Sequence, residues 1–180
     1  MREGEGDKEI LKGKSNFFND WIVPLLVAIV LAILINKYII FKVMIPSGSM
    51  IPTLNVDDRL FATRVYRPER LNREDIIVFY SDELEKTLIK RLIGLPGDKV
   101  VITDGDVTVN GEKLKQEYVK NKDSLSGTYL VPEGKYFFLG DNRLKSSDSR
   151  EWDNPYIDES DIKGKAQVKV YPFSDFSIIK

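Results

Sequence analysis

The 180-residue sequence contains no histidine and no cysteine. Ser-His-Asp and Cys-His catalysis are therefore excluded, as are zinc sites built from imidazole or thiolate ligands. Carboxylates remain as potential metal ligands, but they form no clustered pattern such as an EF-hand loop. We predict no metal site and no cofactor, and any proton-transfer base must be a lysine, a carboxylate or a tyrosine.

The chain also lacks an excess of charge of either sign. Its 27 basic side chains are matched by 28 acidic ones, without a lysine- or arginine-rich block that could neutralise a phosphate backbone. We predict that it does not bind nucleic acid. At 42% hydrophobic and 31% charged residues, the composition is that of a folded domain with a short appendage.

One apolar segment is long enough to span a bilayer. Residues 21–35 carry no charge, and the apolar character resumes after Asn36 and Lys37, so that the stretch 21–41 counts 21 residues. A cleavable export signal and a buried core helix are the alternatives. The run exceeds the usual core of a signal peptide, and no small-x-small cleavage site follows it before residue 45. We therefore predict a transmembrane anchor in contact with lipid.

The charges that flank this segment favour one orientation. Residues 1–20 carry four lysines and arginines, whereas residues 42–61 carry two. The sequence thus predicts a single-pass protein of the plasma membrane, with a cytoplasmic tail at 1–20 and an extracytoplasmic domain at 42–180.

The domain after the anchor is rich in β-branched residues with a period of two, which is typical of strands. Predicted strands span 60–65, 75–80, 87–93, 99–103, 106–110, 135–139 and 166–170. Turn signals separate them, including Asp104-Gly105 and Asn110-Gly111. We predict a mostly β, antiparallel domain that is barrel-like or built of two sheets. Residues 104–128 are interpreted as a small peripheral insertion.

Three segments can carry chemistry. The first, Ile45–Leu54, reads IPSGSMIPTL, and its prolines predict an irregular, stiff loop that can fix a hydroxyl and a backbone N–H. An ordinary connector is the alternative.

In the second segment, Thr87–Asp98, strand alternation places Lys90 on a face with Leu88 and Leu92. Burial there would lower the pKa of the lysine towards that of a base, unless the side chain reaches out from an edge.

The third segment, GDNRLKSSDSR at Gly140–Arg150, follows an apolar strand directly. It combines carboxylates, cations and hydroxyls that could hold a nearby lysine in a closed set of charge pairs. A structural turn rich in Asp and Ser is the alternative interpretation.

These segments, in this order behind an N-terminal anchor, resemble the boxes of bacterial type I signal peptidases in their compact single-anchor form. REDIIVF at 73–79 and GKA at 164–166 add to the resemblance. It implies a β-rich catalytic domain that cuts signal peptides from exported preproteins after small residues, at Ala-x-Ala sites. The stretch 151–160 is less regular than the family pattern.

The resemblance also implies residue roles. Ser49 is expected to attack the scissile carbonyl and Lys90 to act as general base, with the Ser49 N–H and the Ser47 hydroxyl as oxyanion hole. Ser146 would orient the lysine amine. Supporting ion pairs are expected from Asp141, Asp148, Arg91 and Arg150. Substrate side chains are expected to contact Ile45, Leu54 and Ile89.

Two other functions remain open at this point. Self-cleaving repressors also use a Ser-Lys dyad, but they carry a DNA-reading module for which residues 1–41 give no signal. A membrane-anchored binding protein that has lost catalysis is the other alternative, although both Ser49 and Lys90 are present.

Overall fold

The computed structural model describes residues 18–119 and 121–179. The chain divides into two units, Met1–Ile40 and Phe41–Lys180, each of which is described by itself. Most of the predicted cytoplasmic tail, up to residue 17, lies outside the described residues.

The first unit contains an apolar helix. Helix α1 spans Val23–Tyr38 and is preceded by a π-helical turn at Phe18–Ile22. Pro24 lies at its N-terminal end, where a missing N–H costs least. None of its side chains is buried, and the 21 residues Phe18–Tyr38 are long and apolar enough to cross a membrane.

Twelve strands follow among the described residues. They are β1 (Ile40–Met44), β2 (Arg59–Arg64), β3 (Ile76–Ser81), β4 (Lys86–Gly94), β5 (Lys99–Thr103), β6 (Asp106–Val109), β7 (Glu112–Lys113), β8 (Gly127–Leu130), β9 (Lys135–Leu139), β10 (Ile157–Asp158), β11 (Ile162–Tyr171) and β12 (Ser177–Ile178).

The strands form two sheets. The larger has the order β1-β2-β11-β3-β4-β9-β10, with β12 paired to β11, and the smaller has the order β7-β6-β5-β8. The pairings from β2 to β10 and those of the smaller sheet are antiparallel. The prediction of a mostly β, antiparallel, two-sheet fold after one N-terminal apolar helix is confirmed.

Tight hairpins build the smaller sheet. Asp104 and Gly105 join β5 to β6 with φ values of 49° and 75°, and Asn110 and Gly111 join β6 to β7 with 52° and 89°. Both pairs have the left-handed φ that two-residue hairpins require, and Asp-Gly and Asn-Gly are the sequences that adopt it at least cost. The region predicted as an insertion therefore contains the edge of a second sheet.

The two sheets meet at Gly94, near the end of β4. Phe137 of β9 and Val100 of β5 belong to one buried cluster around it, together with Val131. A methyl group added at Gly94 would lie 2.8 Å from Val131 Cγ2 and 2.9 Å from Phe137 Cβ. Only glycine leaves room for this contact between the sheets.

We expect Gly94→Ala to destabilise the β-rich unit by about 1–3 kcal/mol, the usual cost of overpacking a core. Urea denaturation in detergent, followed by circular dichroism, measures the free energy of unfolding. Gly127→Ala is the control, because its added methyl would meet only the far end of the Tyr129 ring, which can turn away. Equal losses in the two variants would contradict the packing argument.

Candidate active site

A cleft of about 420 Å³ contains both candidate catalytic residues. Its walls come from residues 41–44 of β1 and residues 87–90 of β4, and Ser47 and Ser49 line it between them. Ser49 and Lys90, which are 41 residues apart in the sequence, thus contribute a hydroxyl and an amine to one cavity.

Ser49 lies in a single 3-10 turn, Gly48–Met50, after Ser47 in extended conformation. Met50 is fully buried and its carbonyl accepts a bond from the N–H of Leu54, so that the turn is held from beneath. Asn142 holds it from the side: its backbone N–H donates to the carbonyl of Ser49, and its side-chain amide donates to that of Gly48, both at 3.0 Å. The serine therefore lies on a constrained loop.

Lys90 lies in the middle of β4, opposite Ile77 of β3, and only 3% of it is exposed. Its amine donates a 3.0 Å hydrogen bond to the hydroxyl of Ser146. Burial lowers the pKa of Lys90 to about 8, because a desolvated ammonium is disfavoured.

Nearby charges alter this pKa less than burial does. Asp148 and Asp141 raise it, whereas Arg150 and Lys86 lower it. Among the hydrogen bonds of the described residues, none joins Ser49 to Lys90. Catalytic hydrogen bonds often form fully only when substrate is bound.

Arg91, the next residue in β4, forms a buried ion pair with Asp141. Its Nε and Nη2 atoms donate to the two carboxylate oxygens at 2.8 and 2.7 Å. The hydroxyl of Thr53 donates to the same carboxylate, and the guanidinium lies 3.9 Å from the ring centre of Tyr118. Both charges are thus compensated within the protein.

A second buried pair joins Asp148 and Arg150. The guanidinium donates two 2.7 Å bonds to Asp148 and also contacts Asp123. Asp148 accepts a further bond from the N–H of Gly140. The four charged residues predicted to support the site therefore form two separate pairs.

Gly140 brings Ser146 close to the loop that carries Ser49. A methyl group added there would lie 2.1 Å from the Ser146 hydroxyl oxygen and 2.6 Å from the carbonyl oxygen of Ser49. Any side chain would push these two elements apart. The sequence alone did not predict this packing role, nor the two bonds from Asn142 to the turn that carries Ser49.

The residues predicted to contact substrate take two positions. Ile89 lines the cleft, whereas Ile45 and Leu54 belong with it to a buried cluster and are not among the lining residues. Val43, Val78 and Leu88 line the cleft as well and were not predicted. The part of the chain that the structure describes contains no group of three or more carboxylates arranged to hold a metal ion.

Comparison with known proteins gives consistent matches. The family model described as "Signal peptidase, peptidase S26" matches residues 18–171. Signal peptidase I of Bacillus licheniformis is 35% identical over 174 residues, which cover 90% of this chain and 93% of that protein. Signal peptidase IB of Staphylococcus aureus (strain COL) is 34% identical over 177 residues, 87% of this chain and 91% of that protein. A crystal structure of a signal peptidase I from Enterococcus faecalis, 33% identical, covers 53% of this chain and 96% of its own, with a TM-score of 0.47.

We expect Asp141→Ala to lower the free energy of unfolding by about 3–5 kcal/mol, because it removes the carboxylate that accepts two hydrogen bonds from the buried guanidinium of Arg91. Urea denaturation in detergent measures this loss. Asp106→Ala is the matched control, since that carboxylate pairs with Lys113 and Lys122 at the surface and its removal is expected to leave stability unchanged. An Asp141→Ala variant as stable as the control would show that the buried pair contributes nothing.

Proposed function

Because the chain belongs to the signal peptidase I enzymes of peptidase family S26, which remove signal peptides by serine peptidase chemistry, we propose that Ser49 and Lys90 form its catalytic dyad. In this proposal the enzyme is anchored in the membrane by α1 and cleaves exported preproteins after small residues, at Ala-x-Ala sites. Its partners are signal-peptide-bearing preproteins and membrane lipid.

The observation that carries the proposal is the environment of Lys90. In a chain without histidine, this amine is buried and donates to Ser146, and its pKa is lowered to about 8; Lys90 also lines the same cleft as Ser49. An amine with this pKa is neutral in part of the molecules near neutral pH, and a neutral amine can accept a proton.

The chemistry follows the general scheme of acyl transfer. Neutral Lys90 takes the hydroxyl proton of Ser49 while Oγ bonds to the scissile carbonyl carbon, and the carbonyl electron pair moves onto oxygen. The ammonium then gives its proton to the leaving nitrogen as the C–N bond breaks. Water, deprotonated by the same amine, hydrolyses the acyl-enzyme and regenerates Ser49.

The oxyanion is expected to bind between the backbone N–H of Ser49 and the hydroxyl of Ser47. Both residues line the cleft, and Ser47 is exposed to it. In the proposal, Asp141 with Arg91 and Asp148 with Arg150 act as structural supports that do not touch substrate.

Substrate is proposed to bind as an added strand. Strand β1 is at the edge of its sheet, and β9 pairs with Arg91, Leu92 and Gly94 of β4 but not with Lys86–Lys90. Strand pairing among the described residues therefore leaves the cleft-facing edges of β1 and of this half of β4 without partners. An extended peptide can pair with such edges while alternate side chains enter the pockets.

The proposed small-residue specificity comes from the apolar walls. Ile89, Val78 and Val43 bring branched side chains into the cleft, and buried Ile45 and Leu54 pack beneath Ile89. Branched walls over a packed core leave little depth, so that alanine is accepted and large side chains are excluded.

Membrane attachment and orientation are also proposals. Helix α1 has no buried side chain, and an apolar surface of this length is stabilised by lipid. The four lysines and arginines of residues 1–20, against two in residues 42–61, favour a cytoplasmic N-terminus, which places residues 42–180 outside. Tethering would raise the effective concentration of the enzyme at the surface where preproteins emerge.

Ser49→Ala and Lys90→Ala are each expected to abolish cleavage of a preprotein with an Ala-x-Ala site, a loss on the order of 10³-fold or more in kcat/KM. Gel assays with the detergent-solubilised full chain measure it, and circular dichroism checks that the variants are folded. Lys99→Ala, which changes an exposed lysine outside the cleft, is expected to cleave normally. Near-normal rates for Lys90→Ala would disprove the dyad.

Activity is expected to rise with pH, because the base must be neutral. The profile of kcat/KM should reach half its maximum near pH 8, whereas a lysine of ordinary pKa would keep the rate rising beyond pH 10. Lys86→Gln removes a positive charge that lowers the pKa of Lys90, so its midpoint should lie at higher pH than that of the unchanged enzyme. A midpoint displaced to lower pH would contradict this assignment.

A further inference from the structure

Residues 116–123, which belong to the region predicted as a peripheral insertion, pack against the catalytic network. We refer to them as the 116–123 segment; Lys120 lies outside the described residues. Gln116 accepts a bond from Arg143, and the Tyr118 ring lies against the guanidinium of Arg91. Asp123 pairs with Arg150. The segment thus contacts the structural supports of the proposed dyad at several points.

Its most informative contact is made by Asn121. The side-chain amide of Asn121 donates a 3.0 Å hydrogen bond to Oδ1 of Asn142. The carbonyl of Asn121 in turn accepts a 3.1 Å bond from the N–H of Leu144. Asn121 is therefore held on both sides against the Gly140–Arg150 segment.

This contact determines which way the amide of Asn142 points. An amide has one accepting and one donating end, and a donor placed at one end forces the donating end to the other side. Because Asn121 donates to Oδ1, Nδ2 faces the carbonyl of Gly48, to which it donates at 3.0 Å. Asn142 is 4% exposed, so a reversed amide would leave buried polar atoms without partners.

The carbonyl of Gly48 is coupled to the proposed oxyanion hole. Gly48 C=O and Ser49 N–H belong to one planar peptide unit, and in a trans unit these groups point in opposite directions. The Gly48 oxygen accepts from the Asn142 amide and, at 3.3 Å, from the N–H of Ile51, so these two donors together set the direction of the Ser49 N–H. The bond from Asn142 N–H to the carbonyl of Ser49 holds the following peptide unit in the same way.

We propose that Asn121 is a positioning residue which, through the amide of Asn142, orients the peptide unit that carries the Ser49 N–H. The inference rests on the proposed function, because it assigns a purpose to that N–H. Asn121 lies 72 residues from Ser49 in sequence and touches no reacting atom.

Asn121→Leu removes the donor without changing the charge, and Asn121→Asp removes it with the least change of shape. Each variant, as full chain in detergent, is expected to lower kcat on a preprotein about tenfold, as loss of an orienting outer residue does. KM should stay within twofold. For the uncharged leucine variant, the midpoint of the pH profile should remain near 8. A kcat within twofold of the unchanged enzyme in both variants would overturn the proposal.

Two controls separate positioning from general stability. Lys122→Ala changes the neighbouring segment residue, which pairs with Asp106 at the surface, and is expected to leave kcat unchanged. An equal loss in this control would assign the effect to folding of the segment and refute the inference. In a double-mutant cycle, Asn121→Leu should lower kcat less than twofold when Asn142→Ala is already present, and full multiplication of the losses would refute it.

Ser49→Ala distinguishes this inference from the proposed function. If that variant is inactive while both Asn121 variants are normal, only the positioning role fails. If Ser49→Ala itself retains activity, the proposed function fails with it.

Discussion

Desolvation of Lys90 is the constraint on which the proposed active site depends. A lysine in water is an ammonium and cannot accept a proton, so a lysine base requires a place where the charged form is disfavoured. The fold supplies this place in the middle of β4, covered by β3 on one side and the Gly140–Arg150 segment on the other. One N–H of the neutral amine donates to the Ser146 oxygen. The lone pair of the Lys90 nitrogen is then free to point elsewhere in the cleft.

The buried ion pairs follow from the same requirement. Asp148 and Arg150 both act on the pKa of Lys90 and in opposite directions, so an unpaired member of either sign would move that pKa away from the useful range. Arg91 is adjacent to Lys90 in the strand, and its two hydrogen bonds to Asp141 compensate its positive charge within the pair. Of the charges near Lys90, two raise its pKa and two lower it, and burial is the largest effect. Such pairs add little stability compared with apolar packing, and in the proposed mechanism they control the electrostatic potential at the amine.

Local patterns predicted the parts of the structure that are encoded locally. Strands with a period of two and hairpin turns such as Asn110-Gly111 could be predicted because alternation and left-handed φ depend on neighbouring residues. The end of α1 could not be predicted in this way, because the apolar run continues to Phe41, whereas Ile40 and Phe41 are already in β1. Pairing of a short strand with β2, some twenty residues later, has no local signal.

The candidate site likewise contains residues that the sequence predicted and contacts that it did not. Ser49 and Lys90 were predicted as the dyad because the absence of histidine and the family resemblance pointed to them, and the structure places both on one cleft. The bonds from Asn142 to the turn that carries Ser49 could not be predicted, because they join residues more than 90 apart in the sequence and asparagine after Gly-Asp is an ordinary turn residue. Apolar character alone also cannot distinguish a residue that lines a cleft, such as Ile89, from one packed beneath it, such as Leu54.

The free edges of β1 and β4 connect this architecture to substrate selection. An exposed strand edge invites pairing with any extended chain, and proteins usually protect such edges with charge or with a short strand. Here lysines flank the edges: Lys42 lies in β1, Lys86 begins β4, and Lys163 donates to Thr87. In the proposed binding mode, backbone pairing supplies affinity that is independent of sequence, which suits signal peptides that share little sequence. Selection among substrates must then come from the shallow apolar walls around Ile89, which accept only small side chains near the cleavage site. A deeper pocket would bind one sequence more tightly and the others less, so the proposed broad specificity for small residues requires a cleft that binds the substrate mainly through its backbone.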